Sequence, residues 1–298
     1  MGWEDFGRLI TAMATPFSSE GDLDLDAAER VADWLVRTGS TALVITGSTG
    51  ESGTLSDRER RDLWRVTAQA VKVPVIAGAT TNDTAHSLRL VHDAEEVGAR
   101  GILAVTPYYN RPPQAGLVSH FSAIAKATRL PVILYDIQVR TGRKIELATI
   151  VELVRGHDNV VGVKDASGDI GRAARLVDML GSDGVVYSGD DSLTLPFLSL
   201  GAVGLISVAG HWAGEALARM IRSYVDGDVA LAASINRSLL PSYEFESSDL
   251  YPNPIPTKAM LSRLGLCLSK TRSPLVDPPD DLLKEADRLL AELKSRTL

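Results

Sequence analysis

Lys164, at the end of a short apolar segment, is the residue best placed for covalent chemistry. Residues 160–163, Val-Val-Gly-Val, have the composition of a strand buried on both faces, and Lys164 follows them directly. Loss of hydration penalises the charged form of an amine, and an uncharged amine attacks a ketone to form a Schiff base. The alternative is a lysine that ends the strand and extends into solvent.

A segment rich in glycine and hydroxyl groups follows another apolar run. Residues 47–53, Gly-Ser-Thr-Gly-Glu-Ser-Gly, put the hydroxyls of Ser48 and Thr49 in a turn whose backbone N–H groups can converge on a carboxylate. The segment lacks the Gly-Lys-Ser/Thr ending of a nucleotide-binding loop, so phosphate is the weaker candidate ligand. A plain loop is the alternative.

Two phenols and one guanidinium follow further apolar runs. Tyr109 lies in a Pro-bounded segment, and Tyr135 ends a run that precedes the one ending at Lys164. A phenol at either position can transfer a proton, and Tyr135 would face an intermediate on Lys164 if their strands are adjacent. The planar fork of Arg140 matches a carboxylate. The alternative for Tyr109 is packing or subunit contact. For Tyr135 and Arg140 it is a structural hydrogen bond or a surface ion pair.

Residues 188–191, Ser-Gly-Asp-Asp, follow another apolar run. The backbone at Gly189 could approach a ligand closely there. Because aspartate is a preferred residue at a helix N-cap, capping is a strong alternative.

The composition argues against several classes of function. A net charge of −7 disfavours nucleic acid or an anionic membrane as partner. The five histidines show no metal-ligand spacing, so we predict no metal, and we expect no organic cofactor. No uncharged run reaches membrane-spanning length, residues 1–6 do not resemble a signal peptide, and Cys267 is the only cysteine. We therefore expect a cytoplasmic protein.

Apolar, β-branched runs recur about every 25–30 residues and alternate with amphipathic stretches, as in strand-plus-helix units. Alternation of this kind predicts a parallel sheet, and eight units favour an α/β fold of the closed (β/α)8 (TIM) barrel type. The predicted strands are Leu9–Ala14, Ala42–Thr46, Val75–Gly78, Gly101–Val105, Val132–Tyr135, Val160–Lys164, Val185–Ser188 and Gly204–Val208.

Capping signals predict the helices between the strands, and the alternation stops near Asp226. We predict a barrel domain over residues 1–226 and a C-terminal helical extension over 227–298. The predicted helices are Ala27–Thr38, Asp57–Val71, Ala85–Val97, Glu146–Arg155, Ile170–Leu180 and Gly214–Val225 in the barrel, then Val229–Leu240, Thr257–Leu264 and Asp280–Lys294.

Together these segments resemble the dihydrodipicolinate synthase and N-acetylneuraminate lyase family of class I pyruvate aldolases, over nearly the whole chain. The matching segments are Gly47–Glu51, Val105–Asn110, Leu134–Tyr135, Arg140–Gly142, Gly162–Ala166, Ser188–Asp191 and Asn253–Pro256.

The resemblance implies that Lys164 forms the Schiff base with pyruvate and that Tyr135 is the central acid–base residue. Ser48 and Tyr109 would complete a proton relay, with Tyr109 reaching into the site of a neighbouring subunit. It therefore also implies a homo-oligomer, which we expect to be a dimer of dimers.

The resemblance further implies how the substrates bind. The backbone around Ser48 and Thr49 would hold the pyruvate carboxylate, and Gly189 and Ile206 would line the pocket. Arg140 matches the position that binds the carboxylate of aspartate semialdehyde. This favours a synthase that condenses pyruvate with this aldehyde, in lysine biosynthesis, over a lyase.

Other sequence features support different assignments. Ser48 replaces the threonine usual in synthases, and Gln138 replaces a proline. The first alternative is an aldolase or dehydratase that acts on a 2-keto-3-deoxy sugar acid or on sialic acid with the same lysine. The second is a non-catalytic paralogue that acts as a binding or regulatory protein, although every matched catalytic residue is present.

Some synthases of this family have a lysine-feedback site. At the matching positions Ser52, Asn82 and Tyr108 agree with the family, whereas Arg60 and His86 replace a histidine and a glutamate. These two replacements argue against feedback inhibition by lysine.

Overall fold

Eight parallel strands close into a barrel in the computed structural model, which describes residues 2–246 and 248–295. The first strand pairs with both the second and the eighth, which closes the sheet. All eight predicted strands are confirmed, with ends shifted by two residues at most. They are β1 Leu9–Ala12, β2 Ala42–Ile45, β3 Val75–Ala77, β4 Gly101–Val105, β5 Val132–Asp136, β6 Val160–Asp165, β7 Val185–Ser188 and β8 Gly204–Ser207.

Helices surround this barrel and join consecutive strands. Ser56 and Glu59 form the predicted capping box at the start of α2, and Asp83 caps α3. The first helix is capped by Asp24, two residues before the predicted Asp26. The helices are α1 Leu25–Arg37, α2 Asp57–Ala70, α3 Thr84–Glu96, α4 Gln114–Ala127, α5 Gln138–Thr141, α6 Leu147–Gly156, α7 Ile170–Leu180, α8 Thr194–Ser199 and α9 Gly210–Val225.

Four of these helices differ from the prediction. The sequence analysis placed no helix at α4, which starts after Pro113 with no side-chain cap, at α5, which has only four residues, or at α8, which has six residues and includes Pro196. The helix predicted from Gly214 begins at Gly210, with a kink at Ala213 that has non-helical backbone angles. The predicted start was therefore the second half of a kinked helix.

Within residues 227–246 and 248–295, four helices follow the barrel: α10 Val229–Ser238, α11 Leu240–Phe245, α12 Ile255–Arg263 and α13 Asp280–Ser295. The helix predicted to reach Leu240 ends at Ser238, and a new one begins with Pro241 at its second position. Apolar residues of all four helices share a core with α9, Leu9 and Leu205. The C-terminal helices therefore pack on the side of the barrel where β1 meets β8. In the described residues, no helix is both long and apolar enough to span a membrane.

The barrel interior has its own apolar core, separate from the layer between strands and helices. Its members come from alternate positions of the strands, as expected when side chains alternate between the two faces of a sheet. They include Ile10, Val44, Ile76, Leu103, Ile133, Tyr135, Tyr187 and Ile206.

Candidate active site

Lys164 lies near the carboxyl end of β6, with its side chain against Tyr135 of β5. The strand register pairs the two residues directly. Nζ of Lys164 lies 4.4 Å from the centre of the Tyr135 ring. Lys164 is only 4% exposed and Tyr135 5% exposed. The two residues predicted to be neighbours are therefore in contact inside the barrel, and the alternative of a solvent-extended lysine is wrong.

Of two further predicted residues, Gly189 lies directly against Lys164, and Ile206 lies in the barrel interior. A Cβ atom at Gly189 would lie 3.0 Å from Cε of Lys164 and 2.8 Å from Cβ of Ala166, closer than such atoms pack. A larger residue at position 189 would therefore force the Lys164 side chain to move. Ile206 is fully buried and belongs with Tyr135 to the interior core.

A cavity of about 290 Å³ opens at this end of the barrel. Ser48, Tyr135 and Arg140 all line it, so three of the predicted site residues meet there. Tyr108 also lines this cavity, whereas Tyr109, which is expected to reach a neighbouring subunit's site, is not among its lining residues. Tyr135 also packs on Lys164, so the phenol connects the buried amine with the cavity.

Ser48 and Thr49 follow β2 in a tight turn. The residue that starts the turn, Thr46, has a φ of 62°, which is unusual for a β-branched residue. Its hydroxyl accepts a hydrogen bond from Nε1 of Trp64 (2.8 Å) and lies 3.2 Å from the carbonyl oxygen of Gly78. These contacts hold the turn in place. The sequence analysis missed Thr46, because nothing in a single sequence marks its positive φ.

Thr49 and Arg140 are both bound by Asn253. Nδ2 of Asn253 donates to Oγ1 of Thr49 (2.9 Å), and the Asn253 carbonyl oxygen accepts from Nη2 of Arg140 (3.1 Å). Thr49 is buried, whereas Arg140 is exposed at the cavity wall. Asn253 stood in a matching segment, but the sequence analysis gave it no role.

A buried group of charges fixes the strand ends that carry Tyr135 and Lys164. Asp136 and Asp165, the next residues along β5 and β6, accept hydrogen bonds from Arg172 at 2.8 and 2.9 Å. All three side chains are at most 5% exposed. Burial raises the pKa of Asp136 to about 6 although Arg172 opposes the shift. The sequence analysis missed this group.

Tyr109 does not join the site within one chain. Its side chain is 91% exposed and its φ is 71°. Such exposure of a large aromatic side chain, held by a left-handed backbone, directs the phenol away from its own barrel.

Two of the positions that match a lysine-feedback site, Ser52 and Tyr108, line the same cavity. Ser52 lines the cavity, and its carbonyl oxygen accepts from Nη2 of Arg60 at 2.5 Å. Burial lowers the pKa of the Arg60 guanidinium. His86 contacts Asp57, with Nε2 2.8 Å from the carboxylate. A buried cation therefore stands where the family has a histidine.

Metal-binding groups are dispersed rather than clustered. Within residues 2–246 and 248–295, no three side chains of His, Cys, Asp or Glu are arranged to hold a metal ion. The groups that do converge are an amine, a phenol, a hydroxyl and a guanidinium. They suit attack on a carbonyl compound, proton transfer to it and binding of its carboxylates.

Comparison with known proteins agrees with this chemistry. A model of the dihydrodipicolinate synthetase family matches residues 5–293. The 4-hydroxy-tetrahydrodipicolinate synthase of Moorella thermoacetica is 46% identical over 295 residues, which cover 98% of this chain and 99% of that protein. The synthase of Bacillus subtilis is 41% identical over 97% of this chain and 100% of its own. The lysine-bound DHDPS structure from Cyanidioschyzon merolae has a TM-score of 0.94 at 40% identity, covering 97% of this chain and 99% of that one.

Proposed function

Because the chain belongs to the dihydrodipicolinate synthetase family, we propose that it condenses pyruvate with L-aspartate 4-semialdehyde to give 4-hydroxy-tetrahydrodipicolinate. It is thus a lyase of the class I aldolase type that acts in lysine and diaminopimelate biosynthesis. The observation that carries the proposal is the contact between the Lys164 amine and the Tyr135 ring, next to a cavity lined by Ser48 and Arg140.

The first half of the reaction takes place on pyruvate. The Lys164 amine attacks the ketone carbon, and loss of water from the adduct gives an imine. Tyr135 supplies the proton that lets the hydroxyl leave, with Ser48 and Tyr109 completing the relay. Removal of a methyl proton then gives the enamine, which is the carbon nucleophile. Thr49 and the turn backbone hold the pyruvate carboxylate, and Gly189 and Ile206 close the pocket around it.

The second half joins the two substrates. The enamine carbon attacks the aldehyde carbon of the semialdehyde, whose carboxylate is bound by Arg140. The amine of the semialdehyde then displaces Lys164 from the imine carbon, which closes the ring and regenerates the free lysine. One water is released overall, and every proton moves between substrate and side chains, so the reaction as written uses no organic cofactor.

We also propose an assembly and a location. Tyr109 is exposed in one chain, and a relay role requires that it reach a neighbouring subunit's site, which supports a dimer. We propose that two such dimers form a homotetramer. Residues 227–246 and 248–295 carry the helices packed on the barrel, and we propose residues 1–226 and 227–298 as the barrel domain and its helical extension. A biosynthetic enzyme with small soluble substrates belongs in the cytoplasm.

Borohydride trapping tests the function. With pyruvate and borohydride, we expect a pyruvate-sized adduct on Lys164 by peptide mass spectrometry, and addition of aspartate semialdehyde should discharge the imine before it is reduced. Lys164→Gln should abolish the adduct, whereas Lys144→Gln, at a half-exposed lysine paired with Glu146, should not. An adduct that semialdehyde does not discharge would point instead to a sugar-acid aldolase, and a wild-type chain without adduct to a non-catalytic protein.

A further inference from the structure

The side chain of Asn253 joins the C-terminal region to the turn after β2. It lies 204 residues from Thr49 in sequence, is 7% exposed, and makes its hydrogen bond to Thr49 in the interior. Oδ1 of the same amide accepts from the hydroxyl of Thr257, one turn into α12, at 2.9 Å. The amide is therefore held between two hydroxyls, one on each side.

This arrangement fixes the direction of the hydrogen bond to Thr49. Because Oδ1 is occupied by Thr257, the group that faces Thr49 is the NH2 group, which can only donate. Oγ1 of Thr49 must then accept, and its own hydrogen is left for a different acceptor. Within the described part of the chain, that hydroxyl donates to no protein acceptor.

We propose that Asn253 is a positioning residue, which orients the Thr49 hydroxyl to donate to the carboxylate of pyruvate. The inference rests on the proposed function and extends it to a residue outside the barrel strands and their loops. A carboxylate accepts hydrogen bonds and donates none, so a Thr49 hydroxyl turned the other way would present its lone pairs to a negative charge. Asn253 prevents that orientation.

The two contacts of Asn253 act on different substrates. Its side chain orients Thr49, whereas its backbone carbonyl binds Arg140. A substitution of the side chain keeps the carbonyl. It should therefore affect capture of pyruvate and spare binding of the aldehyde carboxylate at Arg140.

Two variants separate orientation of the hydroxyl from simple support of the fold. Asn253→Ala removes the donor and leaves the hydroxyl free to turn, so the pyruvate concentration for half-maximal borohydride trapping should rise about tenfold, the effect of one hydrogen bond to a charged group. Asn253→Asp has the same shape and can still accept from Thr257, but its carboxylate accepts the Thr49 hydrogen and adds a like charge. It should raise that concentration further, to about 100-fold.

The Thr49 background gives the decisive readout, because a carboxylate buried at residue 253 also costs folding free energy. If Asn253 only supported the fold, Asn253→Ala would weaken trapping equally in the wild-type and Thr49→Val backgrounds. Thr257→Val removes the hydroxyl that holds Oδ1 and lets the amide turn over, so it should weaken trapping in the same direction as Asn253→Ala but by less, because the NH2 group can still reach Thr49. In a Thr49→Val background, Asn253→Ala should have no further effect, because the group it acts through is gone.

The KM for aspartate semialdehyde should stay within about twofold of wild type in Asn253→Ala, since Arg140 keeps its backbone partner. The inference is overturned if Asn253→Asp traps pyruvate at wild-type concentrations, or if Asn253→Ala lowers kcat while half-maximal trapping does not move. A wild-type chain that forms no adduct overturns the proposed function, and the inference with it. If the wild-type chain traps pyruvate and the Asn253 variants trap it at the same concentrations, the inference is overturned and the proposed function stands.

Discussion

Nζ of Lys164 lies 4.4 Å from the centre of the Tyr135 ring, on neighbouring strands of a parallel barrel. In such a barrel, residues in register on adjacent strands point to the same side. One pairing therefore places both groups in the interior, and both are almost fully buried. The nucleophile and its acid–base partner thus owe their contact to the register of the sheet rather than to a flexible loop.

Tyr135→Phe should keep the ring packed on Lys164 and remove the phenolic hydroxyl that transfers the proton. We expect kcat to fall by about 100- to 10,000-fold, the usual contribution of a positioned general acid–base group. Steady-state kinetics with both substrates measure the loss. Tyr251→Phe is the matched control, because the Tyr251 hydroxyl contacts Asp281 in the C-terminal helices, away from the cavity. A Tyr135→Phe enzyme with more than a tenth of wild-type kcat would contradict the role.

Gly189→Ala should displace the Lys164 chain. The added Cβ would lie 3.0 Å from Cε of Lys164, so the amine must shift, and a shift of about 1 Å can cost on the order of 100-fold in rate. The rate of borohydride trapping at saturating pyruvate reports the loss. Gly156→Ala, where a Cβ meets nothing within 4 Å, should trap at the wild-type rate. Equal rates in the two variants would contradict this account.

Tyr109 should act across a subunit boundary. Lys164→Gln lacks the nucleophile and Tyr109→Phe lacks the relay phenol, so each enzyme alone should be impaired. Mixed assemblies combine an intact Lys164 in one subunit with an intact Tyr109 from its partner. Unfolding and refolding the two variants together should therefore raise specific activity several-fold above the mean of the separately treated proteins. If mixing adds nothing, Tyr109 serves its own chain or has no role.

Arg172→Met should destabilise the fold strongly. The substitution leaves Asp136 and Asp165 buried without their cation, and loss of one partner from such a group costs about 3–5 kcal/mol. Urea unfolding at neutral pH measures the difference. Arg155→Met removes a pair with Asp183 of the same length, 2.8 Å, but with both side chains about half exposed, and should cost about 0–1 kcal/mol. Similar losses from both variants would contradict the assignment.

The sequence predicted the barrel because its strands are apolar runs at a regular spacing, a property of each run alone. It also predicted that Tyr135 and Lys164 meet, since consecutive runs become neighbouring strands. The helix α4 escaped prediction because Pro113 offers no side-chain cap and no polar start signal stands before it. Sequence patterns thus predicted the strands and helices whose signals lie within the segment itself.

The contacts missed by sequence analysis join distant segments. Asn253 bonds to Thr49 across 204 residues, and Arg172 reaches Asp136 across 36. A single sequence gives no sign of such pairs, because each residue type suits a loop or a helix surface equally well. Only the closed barrel and the helices packed on it bring the partners together.

The pH dependence of stability should depend on His211. The ring is fully buried; its Nε2 accepts from the backbone N–H of Ala14 at 3.0 Å, and its Nδ1 lies 2.7 Å from the carbonyl oxygen of Val208. Nδ1 must therefore carry the single proton. Burial lowers the pKa of His211 from 6.5 to about 4. As pH falls below 6.5, the unfolded chain takes up a proton that the folded chain refuses, so folding stability is lost.

Between roughly pH 8 and pH 5, His211 alone should lower the free energy of unfolding by about 2 kcal/mol. Burial also lowers the pKa of His120 to about 4, so His120 contributes to the pH dependence of wild-type stability. The contribution of His211 is therefore measured by substituting that residue. His211→Gln keeps an acceptor near Ala14 but cannot titrate. Urea unfolding at both pH values should show the variant losing about 2 kcal/mol less than wild type, whatever its stability at pH 8. Parallel pH profiles for the two proteins would mean that folding does not lower the pKa of His211.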